Sequence, residues 1–192
     1  MVRRLIPYLM VLLLGGLMLA GTAAYAQDRD AGRKVAGMCR TCHGLDGYAK
    51  IPIAPHIGGE PASYLAAQLQ AFRSGVRKHE MMSVVAASLS DAQIDNVAAW
   101  YAGHAVAATV TEGEAPAACT ACHGADGMSQ AEDVPNLAGE TNIYIDTQLK
   151  AFKRGKRRHE VMSDIAGRLD DTEIRMIADY YAAIEIEITQ VD

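Results

Sequence analysis

Cys39-Arg40-Thr41-Cys42-His43 decides how this 192-residue chain is read, and it returns as Cys119-Thr120-Ala121-Cys122-His123. The pattern C-x-x-C-H is the attachment signature of c-type haem. Two thiols separated by two residues can each add to one vinyl group of the same macrocycle. The histidine that follows is then held beneath the iron, where an imidazole nitrogen can ligate it. The chain has only four cysteines, and all four fall in these two motifs.

Other uses of paired cysteines explain less. A disulfide within a pair would be short and strained, and it gives no reason for a histidine after both pairs. Structural zinc uses two C-x-x-C halves roughly 15–20 residues apart. Cys42 and Cys119 are separated by several times that spacing. A thioredoxin-like motif needs a βαβ setting, which the surrounding pattern lacks.

The N-terminus reads as an export signal. Arg3 and Arg4 precede an apolar run from Leu5 to Ala20, and Ala24-Tyr25-Ala26 has the form of a cleavage site. The run is too short to span a bilayer comfortably and contains Pro7, Gly15 and Gly16. The expectation is a signal peptide over residues 1–26 and a periplasmic mature protein. Loss of Arg3 and Arg4 takes the formal charge from −5 to −7. The remaining charge is uneven, with 8 basic and 7 acidic residues over 27–104, against 8 basic and 16 acidic over 105–192. Such a dipole can orient a molecule toward a charged partner. The basic run Lys150, Lys153, Arg154, Lys156, Arg157 and Arg158 lies within the acidic half and reads as a docking patch or a solvated face. It lacks the aromatic interleaving of a nucleic-acid surface.

The chain repeats itself at one constant offset, without a gap, as Cys39 maps onto Cys119. Cys39, Cys42, His43, Gly44, Asp46 and Gly47 recur, as do Pro55, Gly59, Glu60, Tyr64, Gln68, Leu69 and Phe72. Gly75, Arg77, His79, Glu80, Met82 and Ser83 recur too. The pattern is the duplication of one haem module, so two covalently bound haem c groups are expected.

Each module has the same coarse plan. A helix over about 30–42 leads into the first haem motif, and a Gly- and Pro-rich loop follows. A second helix, about 62–74 and 142–154, ends at Gly75 or Gly155, as a glycine C-cap would have it. An irregular stretch carrying methionines comes next. The last helix opens on Ser90 and Gln93, or Asp170 and Glu173, both resembling a capping box. Ile94, Val97, Ala98 and Tyr101, with Ile174, Ile177, Ala178 and Tyr181, then give an amphipathic helix with one buried face. The fold class is all-α, with domains over 27–104 and 116–192 and a linker over 105–115. The alternating tail Ile184-Glu185-Ile186-Glu187-Ile188 reads as a helix extension or a frayed end, with a strand docking on a partner as the alternative.

A six-coordinate haem needs a ligand opposite the histidine, far enough along the chain to travel around the macrocycle. Met82 follows His43 at the same interval as Met162 follows His123, and both intervals are long. Met81 is answered by Val161, Met128 follows His123 too closely, and Met176 is answered by Asn96. For any single methionine, core filler is the simpler reading, but elimination leaves this pair as thioether ligands. The rivals are His79 and His159, which would give bis-histidine ligation and a lower potential. His56 and His104 are unmatched and read as surface or loop residues. Tyr64, Tyr144, Phe72, Phe152, Tyr101 and Tyr181 are candidates for pocket walls or ordinary core. Arg77 and Arg157 are candidates for pairing with haem propionates, with solvation as the alternative.

Two C-x-x-C-H-G-x-D-G motifs, the P-x-[IL]-x-G-E segments at Pro55 and Pro135, Tyr-x-x-x-Gln-Leu at Tyr64 and Tyr144, and the Met-Ser segments resemble the dihaem cytochrome c4 family. That family groups with the cytochrome subunits of flavocytochrome c sulfide dehydrogenases. The resemblance spans nearly all of the mature chain. It implies two class I cytochrome c domains about a pseudo-twofold axis, with haems near enough for rapid internal electron transfer. It implies ligation by His43 with Met82 and by His123 with Met162. It also implies that the carbonyls of Pro55 and Pro135, at matching intervals after their histidines, accept a hydrogen bond from the ligand imidazole; a loop turn is the alternative. His56 departs from the family's common asparagine, which Asn136 keeps.

The function expected is transfer of single electrons between redox proteins in a respiratory or sulfur-oxidising chain. The donor and acceptor are unidentified; a flavoprotein subunit and a membrane-bound oxidase are the partner classes. No catalytic residue, small-molecule substrate site or nucleic-acid partner is expected. The alternatives are the electron-accepting subunit of a flavoprotein sulfide dehydrogenase and a dihaem peroxidase. The peroxidase would need one iron with a labile position.

Overall fold

The computed structural model describes residues 28–190. The expected signal peptide lies outside the described residues. The first module runs α1 (Arg29–His43), α2 (Ala62–Ser74), α3 (Glu80–Ala87), α4 (Asp91–Ala102) and β1 (His104–Thr109). The second repeats this order as α5 (Ala117–His123), α6 (Asn142–Lys153), α7 (Glu160–Arg168), α8 (Asp171–Ala182) and β2 (Glu185–Gln190).

The helix ends follow from local chemistry. Asp28 caps α1 by accepting from the Ala31 amide. Gly75 stops α2 in the left-handed region at φ 76°, where a Cβ is unfavourable. Both expected capping boxes form, at Ser90 with Gln93 and at Asp170 with Glu173. Each satisfies two amides that the helix start leaves unpaired.

Each module closes on its own core. Ile94, Val97, Ala98 and Tyr101 of α4 pack with Val35 and Ala36 of α1, Leu65 of α2 and Leu89. Ile174, Ile177, Ala178 and Tyr181 of α8 pack with Ile145, Leu149 and Phe152 of α6 and with Ala166 of α7. The two last helices thus bury the face that the periodicity predicts. Gly32 lets α1 cross α4 closely, because a Cβ there would lie 2.2 Å from the Asn96 carbonyl oxygen. The shorter α5 makes no comparable crossing of α8.

Two stretches differ from expectation. The methionine segments are helices, α3 and α7, not irregular chain. Their starts are capped by His79 and His159, whose rings accept from the Met82 and Met162 amides. Nothing in the spacing marks a histidine as a cap, since Ser, Thr, Asp and Asn dominate that position. The tail is neither helix nor frayed end. It is β2, which pairs antiparallel with β1, from His104 opposite Gln190 to Thr109 opposite Glu185. Part of the expected linker is therefore a strand. Alternation explains the pairing: Ile186 and Ile188 turn inward while Glu185 and Glu187 face solvent. Ile186 covers Gly139, and Ile188 reaches Gly58.

The modules meet through reciprocal contacts, the mark of a twofold relation. His56 bonds to the Gly139 carbonyl, while Asn136 bonds to the Gly59 carbonyl. Arg77 reaches Tyr144 and Gln148, while Arg157 reaches Tyr64 and Gln68. Every one of these pairs maps onto its mate by the offset that relates Cys39 to Cys119.

Candidate haem-binding site

His43 ends α1 and His123 ends α5, and both are buried. Nδ1 of His43 lies 2.9 Å from the Pro55 carbonyl oxygen, and Nδ1 of His123 lies 2.8 Å from that of Pro135. A carbonyl only accepts, so Nδ1 carries the proton and Nε2 keeps its lone pair. Burial lowers the pKa of both imidazoles and favours the neutral form, the state a metal requires. The loops that bring the prolines back turn on Gly47 and Gly127, whose carbonyls accept from Ile57 and Gly58, and from Leu137 and Ala138. Gly47 sits at φ 85°, and a Cβ on it would lie 2.1 Å from the Gly58 nitrogen.

No disulfide joins Cys39, Cys42, Cys119 or Cys122. Cys39 packs on the first core beside Tyr101, and Cys119 on the second beside Tyr181. Before a haem is attached, burial pushes both thiols up and favours their neutral form. Zinc would need four ligands to converge, and no three His, Cys, Asp or Glu side chains do so among the described residues.

Met82 and Met162 are half-buried on α3 and α7, and Met162 packs against the second core. Their neighbours point away: Met81 is 64% exposed and Val161 50%. Met176 is exposed as well. The rivals His79 and His159 are exposed, with Nδ1 turned onto their own helices at 3.4 and 3.3 Å from the methionine amides. The donor set in each module fits a c-type haem: two thiols, a neutral imidazole with a bare Nε2, and a half-buried thioether.

Other predicted residues fall differently. Tyr101 donates to the Gly44 carbonyl, buried behind the attachment motif, and Trp100 donates to Leu45. Phe72 and Phe152 are core residues, each under the guanidinium of Arg77 or Arg157 at 4.5 and 4.6 Å. Those arginines are half-buried, and neither forms an ion pair with a protein carboxylate among the described residues. They bridge the modules through Gln68, Gln148 and the two tyrosine hydroxyls.

His56 and His104 are not surface residues. Both are buried. His104 holds Nδ1 against the Trp100 carbonyl at 3.0 Å. His56 accepts from the Ala49 amide through Nδ1 and donates through Nε2 to Gly139. Asn136 does the same with an amide: its oxygen accepts from the Ser129 amide and its nitrogen donates to Gly59. A neutral Nε2–H histidine is thus a longer isostere of asparagine in this setting, which residue type alone did not reveal. Glu60 and Glu140 also proved buried. The only hint in the sequence was their recurrence.

Fold and site together define a c-type cytochrome of two domains. The profile of the family described as "Cytochrome C oxidase, cbb3-type, subunit III" matches twice, over residues 26–100 and 108–180. A "Thiosulfate dehydrogenase electron acceptor" of Thiomonas intermedia (strain K12) is 33% identical, covering 98% of this chain and 97% of the relative. A cytochrome c4 of Pseudomonas aeruginosa is also 33% identical, covering 90% and 96%. Among solved structures, reduced recombinant cytochrome c4 from Pseudomonas stutzeri matches with a TM-score of 0.72 at 25% identity, over 83% of this chain and 100% of that one. Thiosulfate dehydrogenase (TsdBA) from Marichromatium purpuratum matches with a TM-score of 0.72 at 30% identity, over 82% of this chain but only 40% of that one. The chain belongs to the cytochrome c4 family. It is an electron-transfer cytochrome that carries haem c. No helix among the described residues is long and apolar enough to cross a membrane.

Proposed function

We propose that the chain holds two haem c groups and relays single electrons between two proteins in the periplasm, after export by the leader over residues 1–26. Cys39 and Cys42 would attach the first haem, and His43 and Met82 would ligate its iron. Cys119 and Cys122 would attach the second, with His123 and Met162 as its ligands. When bound, haem c supplies a one-electron couple between ferric and ferrous iron. The chain's own residues hold the donors in place: Pro55 and Pro135 fix the imidazoles, and the α3 and α7 caps fix the methionines. The observation that carries the reading is the matched pair of Nδ1–carbonyl hydrogen bonds, which leaves a bare Nε2 in each module.

The names of the relatives favour a sulfur-oxidising enzyme as electron donor, with this chain as its acceptor. The donor is then a thiosulfate-oxidising protein rather than a flavoprotein, and the chain itself is a carrier and not a peroxidase. With Met82 and Met162 as ligands, neither iron would keep a position for peroxide. The test is the purified holoprotein. Pyridine haemochrome assay is expected to give two haems per chain. Met82→Ala and Met162→Ala are each expected to weaken the long-wavelength band of thioether-ligated ferric haem. One haem per chain, or a band that survives both replacements together, would overturn the assignment. Rapid peroxide turnover by the unmodified protein would overturn the carrier role.

A further inference from the structure

The boundary between the modules buries two carboxylates that haem attachment does not use. Glu60 is 5% exposed and Glu140 4%. Neither takes part in an ion pair among the described residues. An unpaired carboxylate in such a place is costly and is retained only where something offsets it. Both oxygens of Glu60 accept from the Asn136 amide, each at 3.1 Å. By the pseudo-twofold relation, Glu140 meets the His56 amide and also that of Thr141, while its Oε2 has no hydrogen-bond partner.

These amides belong to the peptide units whose other end holds the haem-ligand histidines. The Pro135–Asn136 unit offers its N–H to Glu60 and its carbonyl to His123. The Pro55–His56 unit turns its N–H toward Glu140 and gives its carbonyl to His43. Each carboxylate is thus one peptide away from the imidazole of the opposite module.

We propose that Glu60 and Glu140 are positioning residues for the axial histidines of the opposite modules, each tuning through one peptide unit the potential of the haem that histidine holds. This rests on the ligation by His43 and His123 given above. The sign follows from polarisation. An ionised carboxylate draws on the N–H, makes the carbonyl oxygen more negative and strengthens its hold on Nδ1–H. The imidazole becomes a better donor through Nε2, which favours ferric iron. The direct field of the negative charge acts in the same direction. Ionisation therefore lowers the potential, and reduction draws a proton onto the pair.

The pair titrates where this matters. Burial pushes Glu60 up to about 8, opposed in part by the Asn136 amide. Burial, and then the charge of Glu60, pushes Glu140 well above the usual carboxylate range. The two behave as one coupled unit. Few other titratable groups face them. His56 lies between the modules among Lys50, Asp46 and His43, and its two hydrogen bonds keep it neutral. His104 on β1 is turned onto the carbonyls of Trp100 and Tyr101. Glu185 and Glu187 on β2 are exposed to solvent.

The test is spectroelectrochemical titration of the holoprotein across neutral and alkaline pH, with two couples resolved. Both are expected to fall as pH rises. Glu140→Gln should raise one couple at alkaline pH and Glu60→Gln the other, each by about tenfold in the ferrous-to-ferric ratio, or ~59 mV for a one-electron couple. The double variant should lose the pH slope. Redox-difference infrared spectra of the unmodified protein should show a carboxylic C=O band that changes on reduction, so a variant that fails to fold still leaves a decision. Flat potentials with no carboxylic band, in protein with two haems and an intact thioether band, would overturn this inference and leave ligation standing. Missing haem or altered ligation would instead overturn the reading on which it rests.

Discussion

The ring of His56 donates through Nε2 to the carbonyl of Gly139 across the module boundary, at 2.9 Å. Its Nδ1 accepts from Ala49 at 3.0 Å, so the ring is fully used only while it is neutral. His56→Asn is expected to keep both bonds, because Asn136 makes the same pair in the other module. It should cost less than about 1 kcal/mol, whereas His56→Ala should cost about 1–3 kcal/mol by leaving buried polar groups unpaired. Urea denaturation at neutral pH checks both.

The same ring sets an acid sensitivity. Burial lowers the pKa of His56, with the Gly139 carbonyl opposing. As pH falls below about 6.5 the unfolded chain takes up the proton before the folded one does, so stability is lost. The expected result is a fall in the urea midpoint from about pH 7.5 to about pH 5.5 that is smaller in His56→Asn. The difference between the two proteins is the quantity to read.

Glu60 acts in the opposite sense. Its folded pKa of about 8 lies above the unfolded value, so its contribution is fully present in acid and declines as pH rises through that interval. Glu60→Gln is expected to remove part of this decline, worth about 1 kcal/mol or more at alkaline pH. Denaturation midpoints of the two proteins should converge in acid and separate in base. Midpoints that stay parallel across the range would contradict the assignment.

Two left-handed glycines should respond very differently to alanine. Gly75 at φ 76° has open space around its missing Cβ, so Gly75→Ala should cost only the backbone strain, about 1–2 kcal/mol. A Cβ on Gly47, at φ 85°, would lie 2.1 Å from the Gly58 nitrogen. Backbone cannot yield there without displacing Pro55, so Gly47→Ala should cost more than about 3 kcal/mol and impair haem attachment. Thermal unfolding and haem content check the pair.

The strand ribbon predicts a further contrast. Ile186 packs on the second core and over Gly139, while Glu187 is exposed. Ile186→Ala should destabilise by about 1–3 kcal/mol and Glu187→Ala by less than about 0.5 kcal/mol. Hydrogen exchange of the β1 amides should rise in the first variant only.

Much of the fold was legible because its signals are local. Gly75 stops a helix by its own backbone freedom, and the Ser90–Gln93 box closes within one turn. The apolar stripe of α4 needs only its own period. The methionine helices were missed because His79 is an unusual cap whose role appears only once its ring is placed. The tail was missed because a strand needs a partner. β2 finds β1 across the whole length of the second module, in a stretch whose composition reads as linker.

The candidate site divides in the same way. Spacing alone singled out the cysteines, the histidines and the methionine pair as candidates, since the duplication repeats each of them within one chain at one offset. Only the tertiary structure decided what lies between the modules. It made His56 a stand-in for asparagine, tied Arg77 to Tyr144, and set Glu60 and Glu140 behind the opposite histidines. The physical reason is that attachment chemistry depends on neighbours in sequence, whereas burial, charge and hydrogen bonding at an interface depend on which surfaces the two copies turn toward each other.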